Sequence, residues 1–277
     1  MRVNTAPTPS LSVIGGGTMA EALVKGLLGK GLHAPASILV SDPLEARRAY
    51  LHETYGVSTT AHNLDCLAAP VIVLAVKPAS VHEVLEEVGP RWGRDTLAIS
   101  IVAGFTLAQL QAHVAQGEAP IVRAMPNTPC VIGEGITAIA GNALAEAHHL
   151  EEARAIFGAV GEVLELPEGY FDAVTGLSGS GPAYITLIVE ALIDAGVQQG
   201  LPRRIARELV CQTVVGSAML VQQSGKHPAE LKDQVVTPAG TTAAGLQVLE
   251  EAAVRATLCL AVKAATQRSK ELGKASH

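Results

Sequence analysis

LSVIGGGTMAEALVKGLLGKG, residues 11–31, decides the fold. LSVIGG is a short apolar run ending in glycines, which reads as a buried strand. TMAEALVKGLLGKG then carries Met19, Leu23, Leu27 and Leu28 at helical spacing. At the join stands G-x-G-x-x-A, formed by Gly15, Gly17 and Ala20 with Thr18 and Met19 between them. The first glycine permits a tight turn and the second lets backbone approach a pyrophosphate. The third position must be small so that helix and strand pack closely. Amides at the helix start then face the phosphates, so a dinucleotide cofactor is expected.

Outward from this unit, strands and helices alternate. SILVSD (37–42), VIVLAV (71–76), TLAISIV (96–102), PIVRAM (120–125) and ITAIA (136–140) read as strands. PLEARRAYLHETYG (43–56), ASVHEVLEEVG (79–89), TLAQLQAHVAQ (106–116) and ALAEAHHLEEARAIFGAVG (143–161) read as helices, and VLELP (163–167) as a last edge strand. The pattern predicts an α/β Rossmann-type domain with a parallel-rich, doubly wound sheet over residues 1–167. Beyond 168 the segments read as helices, including one unbroken run from Thr241 to Ala275, so 168–277 is expected to be an all-α domain. Its helix at 182–199 is apolar nearly all round and must be covered on every side. About 110 residues enclose little interior. The expected cover is a second copy of the chain, in a homodimer or a larger assembly.

Net charge is −6 with no basic run, which argues against nucleic acid as a partner. Cys66, Cys130, Cys211 and Cys259 lack metal-ligand or redox spacing, and no metal is assigned. His148 and His149 are neighbours expected to point about 100° apart on a helix. Residues 1–10 lack the character of an export signal. AYITLIVEALIDAGV (183–197) is interrupted by Glu190 and Asp194 and is read as too short to cross a membrane. A cytoplasmic protein with no membrane partner is expected.

Candidate binding residues lie where strands end. Asp42 ends the second strand and is placed to accept from a ribose 2′-hydroxyl, favouring NAD. Arg47 and Arg48 follow closely and offer charge to a 2′-phosphate, so NADP stays open. Ala75, Lys77 and Pro78 of AVKP line the crevice in this reading. Asn127 of MPNTP is aimed at the nicotinamide carboxamide or ribose. GLSGSGPAY (176–184) places Ser178 and Ser180 before a helix start, and DQVVTPAGTT (233–242) precedes another. That second stretch holds more hydroxyls than a helix cap needs, and Thr237 or Asp233 is expected to do part of the capping. Free amides and threonine hydroxyls there suit a carboxylate. No nucleophile or base stands out, which fits hydride transfer and orientation.

VIGGGTMAEAL, LAVKP, RAMPNTP, GLSGSGPAYI, EALIDAGVQQGL and DQVVTPAGTTAAGLQVLE, in this order over about residues 11–270, resemble pyrroline-5-carboxylate reductases. The resemblance implies a Rossmann domain plus an intertwined helical dimerisation domain. It also implies reduction of L-1-pyrroline-5-carboxylate to L-proline by NADPH or NADH. Carried over residue by residue, it assigns the substrate carboxylate to Thr237, Gly240, Thr241 and Thr242, with the Thr242 hydroxyl polarising the imine nitrogen. Ser178 and Ser180 shape the same pocket in this reading. The family usually has Gly where this chain has Ala239, so that position is expected not to need a positive φ. Two rivals make different demands. β-Hydroxyacid dehydrogenases carry a catalytic lysine in the first interdomain helix, and the helix at 182–199 has none. A non-catalytic dinucleotide sensor would have no need of a second site at 237–242.

Overall fold

The computed structural model describes residues 8–275, so residues 1–7 of the expected lead-in lie outside the described residues. The chain divides into two compact units. Among the described residues, unit 1 comprises 8–179 and 264–275, and unit 2 comprises Ser180–Lys263.

Unit 1 is built on an eight-stranded sheet. Its strands are β1 (Leu11–Ile14), β2 (Ile38–Ser41), β3 (Ser58–Thr60), β4 (Val71–Leu74), β5 (Leu97–Ser100), β6 (Ile121–Met125), β7 (Gly135–Gly141) and β8 (Gly161–Glu165). The order is β3-β2-β1-β4-β5-β6-β7-β8, and each pairing is parallel except β6 with β7. Helices α1 (Thr18–Gly29), α2 (Glu45–Tyr55), α3 (Val81–Val88), α4 (Leu107–His113) and α5 (Ala147–Gly158) connect them. Alternation along each strand sends side chains to two separate cores. Val13, Val40 and Val73 pack with Leu23, Leu27 and Phe157 on one face. Ile14, Ile72 and Leu74 pack with Leu85, Phe105 and Phe171 on the other. The fold therefore agrees with the alternation read from the sequence, with one strand added. β3 is Ser-Thr-Thr, too short and polar to announce itself.

Between β1 and its two neighbours the strand order reverses. β1 pairs β2 on one side, Val13 opposite Val40, and β4 on the other, Val13 opposite Val73. This switch point opens a crevice beyond the carboxyl ends of the strands, the general ligand position of such sheets.

The sheet ends at Glu165, close to the boundary expected at 167, but unit 1 continues to Gly179. α6 (Phe171–Val174) leads into a π-helical turn, Thr175–Gly179. The glycine- and serine-rich run is therefore helical rather than a loop before a helix. With the 3₁₀ turn before it and α7 (Gly181–Gln198) after it, Glu168–Gln198 forms one helical stretch long and apolar enough to cross a membrane. The expectation that the apolar run is too short is corrected accordingly; it rested on counting from Ala183. His148 and His149 also depart from the simple helical angle, with ring centroids 3.7 Å apart. His149 turns back so that its Nδ1 accepts from the Glu146 amide at 3.0 Å.

Unit 2 contains α7, α8 (Arg203–Ser224), α9 (Pro228–Val235) and α10 (Thr241–Glu251). α7 meets α8 closely at Gly196, where an added Cβ would lie 3.1 Å from the Cβ of Ala206. α11 (Val254–Ala275) begins in unit 2 and ends in unit 1. There Ser269 Oγ donates to Asp172 Oδ1 at 2.7 Å. The single helix expected from 241 to 275 is thus two, broken where Ala253 takes φ 53°.

Apolar faces of unit 2 remain uncovered within the chain. Ile185, Leu187 and Leu192 of α7 are 50%, 65% and 47% exposed, and α7 has no buried residue. Leu209, Met219 and Leu220 of α8 are exposed too. A groove of about 420 Å³ runs along α7, lined by Leu187, Glu190, Ile193 and Arg203 among others.

Candidate active site

In unit 1 the switch point carries a cleft of about 410 Å³. Gly15, Gly17, Asp42, Ala75 and Lys77 line it, all expected from the sequence. Gly15 takes φ 98°, and an added Cβ would lie 2.7 Å from the Ala75 oxygen. Only glycine fits that turn. Gly17 is the opposite case, with nothing within 4 Å of an added Cβ. It is the N-cap of α1 and brings no side-chain capping bond. The first amides of α1 are therefore left for a ligand at an open rim, and the positive end of the helix favours an anion. That combination fits a dinucleotide pyrophosphate. Gly17→Ala is expected to fold normally yet lose about 1–3 kcal/mol of dinucleotide binding by crowding this approach. Calorimetric titration with the dinucleotide checks it, and unchanged affinity would contradict the cradle.

The other expected cofactor residues divide. Ala20 is 1% exposed and lets α1 sit against the sheet. Thr18, Met19 and Pro78 are not part of the cleft lining. Asn127 lies outside the cleft lining and is hydrogen-bonded within unit 1. Its Oδ1 accepts from Ile136 N at 2.9 Å, and its Nδ2 donates to Ser178 O at 3.2 Å. At 9% exposure it holds the β6–β7 loop to the π turn. Unforeseen lining residues include Ser41, Asn63, Ser80, Glu83 and Glu87. Glu83 and Glu87 stand four apart on α3, a spacing that places both on one helix face.

In unit 2 the stretch 236–242 joins α9 to α10. Gly240 caps α10 in extended backbone at φ −83°, and no side chain caps that start. The expectation that Thr237 or Asp233 does so is overturned. The Thr237 carbonyl accepts from Gly240 N at 3.0 Å, and its hydroxyl lies over Gly240, where a Cβ would collide with it. The Thr241 and Thr242 amides at the start of α10 are left to an outside acceptor.

Ala239 takes φ 53°, against the expectation that it needs no positive φ. The turn puts the left-handed position on Ala239 and leaves Gly240 extended. A left-handed alanine costs about 1–2 kcal/mol, and glycine returns part of that as unfolded-state entropy. Ala239→Gly is therefore expected to gain about 0.5–1 kcal/mol in urea denaturation. A loss of stability would contradict this backbone reading.

Ser178 Oγ donates to Val174 O at 3.0 Å inside the π turn. Ser180 precedes α7 and makes no capping bond. No cysteine offers a ready nucleophile in unit 1: burial pushes the Cys66 thiol up to about 11 and raises that of Cys130. Among the described residues no cluster of His, Cys, Asp or Glu could hold a metal. The starts of α1 and α10 share one feature, amides with no side-chain cap, which suits an anion.

Comparison with known proteins matches two stretches of the chain. Residues 168–272 match the family model "Pyrroline-5-carboxylate reductase dimerisation". Residues 10–104 match "NADP oxidoreductase coenzyme F420-dependent". The chain is 48% identical over 265 residues to a pyrroline-5-carboxylate reductase of Synechocystis, covering 95% of this chain and 98% of that one. It is 39% identical to one of Arabidopsis thaliana, covering 99% and 100%. Among solved structures it resembles a pyrroline-5-carboxylate reductase from Coxiella burnetii, with TM-score 0.88, 36% identity and coverage of 96% and 98%. It also resembles the Plasmodium falciparum pyrroline carboxylate reductase with NADP bound, with TM-score 0.87, 33% identity and coverage of 97% and 99%.

Proposed function

We propose residue roles from one premise: the chain belongs to the pyrroline-5-carboxylate reductase family. It reduces L-1-pyrroline-5-carboxylate to L-proline with NAD(P)H, the reaction that completes proline biosynthesis. Bound NAD(P)H supplies the hydride. Everything else is binding, orientation and proton placement by this chain's own groups.

The observation that carries the assignment is the uncapped start of α10. Amides of Thr241 and Thr242 hold the substrate carboxylate, where the helix dipole adds to their pull. Thr237 and Gly240 shape the turn around it. The Thr242 hydroxyl donates to the imine nitrogen. This draws electrons from the ring carbon that receives hydride; the proton that the amine nitrogen of proline keeps comes from solvent, so the threonine retains its own. Such a hydrogen bond strengthens as charge moves in the transition state, so it raises turnover rather than affinity alone. In unit 1 the α1 amides with Gly15 and Gly17 hold the pyrophosphate, Asp42 the ribose, and Ala75 and Lys77 the wall of the cleft. Ser180 keeps a proposed role at the substrate. Ser178 acts through its backbone, because its hydroxyl is committed to Val174.

Self-association follows from the dimerisation match, and we assign the uncovered faces of α7 and α8 to a homodimer. It also accounts for a helix apolar enough for a bilayer without requiring one. We assign the enzyme to the cytoplasm.

The test is an assay of NADH and NADPH oxidation with pyrroline-5-carboxylate. Oxidation dependent on the substrate, with proline formed in equal amount, is expected. Dinucleotide binding without turnover would overturn the catalytic reading and favour a sensor.

A further inference from the structure

The charged groups around Asp42 decide which nicotinamide dinucleotide the cleft accepts. Asp42 Oδ2 accepts from Gly16 N at 2.9 Å, and Oδ1 accepts from Leu44 N at 2.9 Å. A carboxylate offers about four acceptor sites, so each oxygen keeps room for one more donor. The two arginines that follow are engaged elsewhere. Arg47 donates through Nη2 to Glu21 Oε2 at 2.5 Å and through Nε to the Gly16 carbonyl. Glu21 is itself fixed, its Oε1 accepting from Tyr50 at 2.9 Å and Tyr55 at 2.8 Å. Burial pushes the Glu21 carboxyl up, but the hydrogen bonds from Arg47 and the tyrosines outweigh it and hold it below its ordinary value. Arg48 Nη1 donates to the carbonyls of Asp42 at 2.8 Å and Pro43 at 2.9 Å.

Neither arginine lines the cleft. The charged residues that do are Asp42, Glu83, Glu87 and Lys77, three acids against one base. We infer that Asp42, backed by Glu83 and Glu87, makes this chain prefer NAD(H) to NADP(H). The inference rests on the reading of the cleft as a dinucleotide site. A ribose 2′-hydroxyl donates to Asp42 and uses a lone pair already facing it. A 2′-phosphate carries about −1.5 to −2 charges, accepts only, and meets carboxylates where it needs guanidinium. Recruiting Arg47 would break its bonds to Glu21 and Gly16. Recruiting Arg48 would strip the carbonyls of the turn that holds Asp42.

Calorimetric binding of NAD⁺ and NADP⁺ to the full chain, without substrate, tests this apart from activity. The wild type is expected to bind NAD⁺ about tenfold or more tightly, and added salt to narrow the gap by screening the repulsion. Asp42→Ser is expected to shrink or invert the ratio. If that variant fails to fold, Asp42→Asn keeps an acceptor for Gly16 N, removes the charge, and must still move the ratio toward NADP⁺. Arg48→Ala is expected to leave the ratio unchanged. Equal or tighter NADP⁺ binding by the wild type, an unmoved ratio in the Asp42 variants, or selective loss of NADP⁺ in Arg48→Ala each overturns the inference. Binding of neither nucleotide overturns the dinucleotide reading of the cleft and this preference with it. Loss of turnover with the preference intact would touch only the catalytic assignment.

Discussion

Thr242→Ala lowers turnover by about 10²–10³-fold and leaves dinucleotide affinity unchanged, because it removes one hydrogen bond aimed at developing charge. The substitution deletes a hydroxyl on a partly exposed residue in the first turn of α10. Alanine is the best helix former, so the helix has no reason to fray. The backbone amide survives, so the carboxylate keeps its main contact and KM moves little. Thr242→Ser retains the hydroxyl and is expected to recover most of the rate. Steady-state assays of the three proteins, with calorimetric dinucleotide binding as control, decide it. Near-normal turnover of the alanine variant would remove Thr242 from the mechanism. A parallel fall in dinucleotide affinity would mark a structural effect instead.

Leu187→Glu breaks self-association while each chain keeps its fold. Leu187 is 65% exposed in the single chain, so the chain's own packing barely uses it. In a homodimer built on α7 the same position is desolvated, and an unpaired carboxylate there costs about 3–5 kcal/mol. A homodimer carries two such carboxylates, so the dissociation constant is expected to weaken by at least about 10²–10⁴-fold. Sedimentation over a dilution series reads it directly. A dimer of unchanged stability would move the interface off this face. Unfolding of the isolated chain would show instead that the helices need their partner to fold at all.

Much of unit 1 was legible because buried parallel strands are continuous apolar runs and the glycine turn between β1 and α1 permits few substitutes. What escaped has physical causes. β3 lies on the sheet edge, where Ser58, Thr59 and Thr60 suffice and no apolar run is needed. Asn127 looked like a ligand because it is polar and sits after a strand. Its bonds to Ile136 N and Ser178 O, partners 9 and 51 residues away, are what local spacing does not reveal. Ala239 misled because an alanine where the resembled family usually has glycine reads as a position with no need of a positive φ. Backbone strain at a non-glycine residue leaves no trace in composition. The break at Ala253 is hidden for the same reason, since alanine is also the strongest helix former. Glu83 and Glu87 went unremarked within ASVHEVLEEVG, because which face of that helix meets the cleft depends on the sheet.

The route of the chain also orders its birth. Unit 1 is built from sequence on both sides of unit 2, because the segment beginning at Ala264 returns to it. A ribosome releases the sheet long before it releases Ser269, whose hydroxyl meets Asp172. Domains tend to fold as they emerge, at about 5–20 residues per second of synthesis. The strands of the cleft are therefore made early, while the segment from Ala264 that completes unit 1 follows every residue of unit 2. Losing the α11 segment around Ser269 would therefore remove a contact from the unit made before unit 2, not from unit 2 itself.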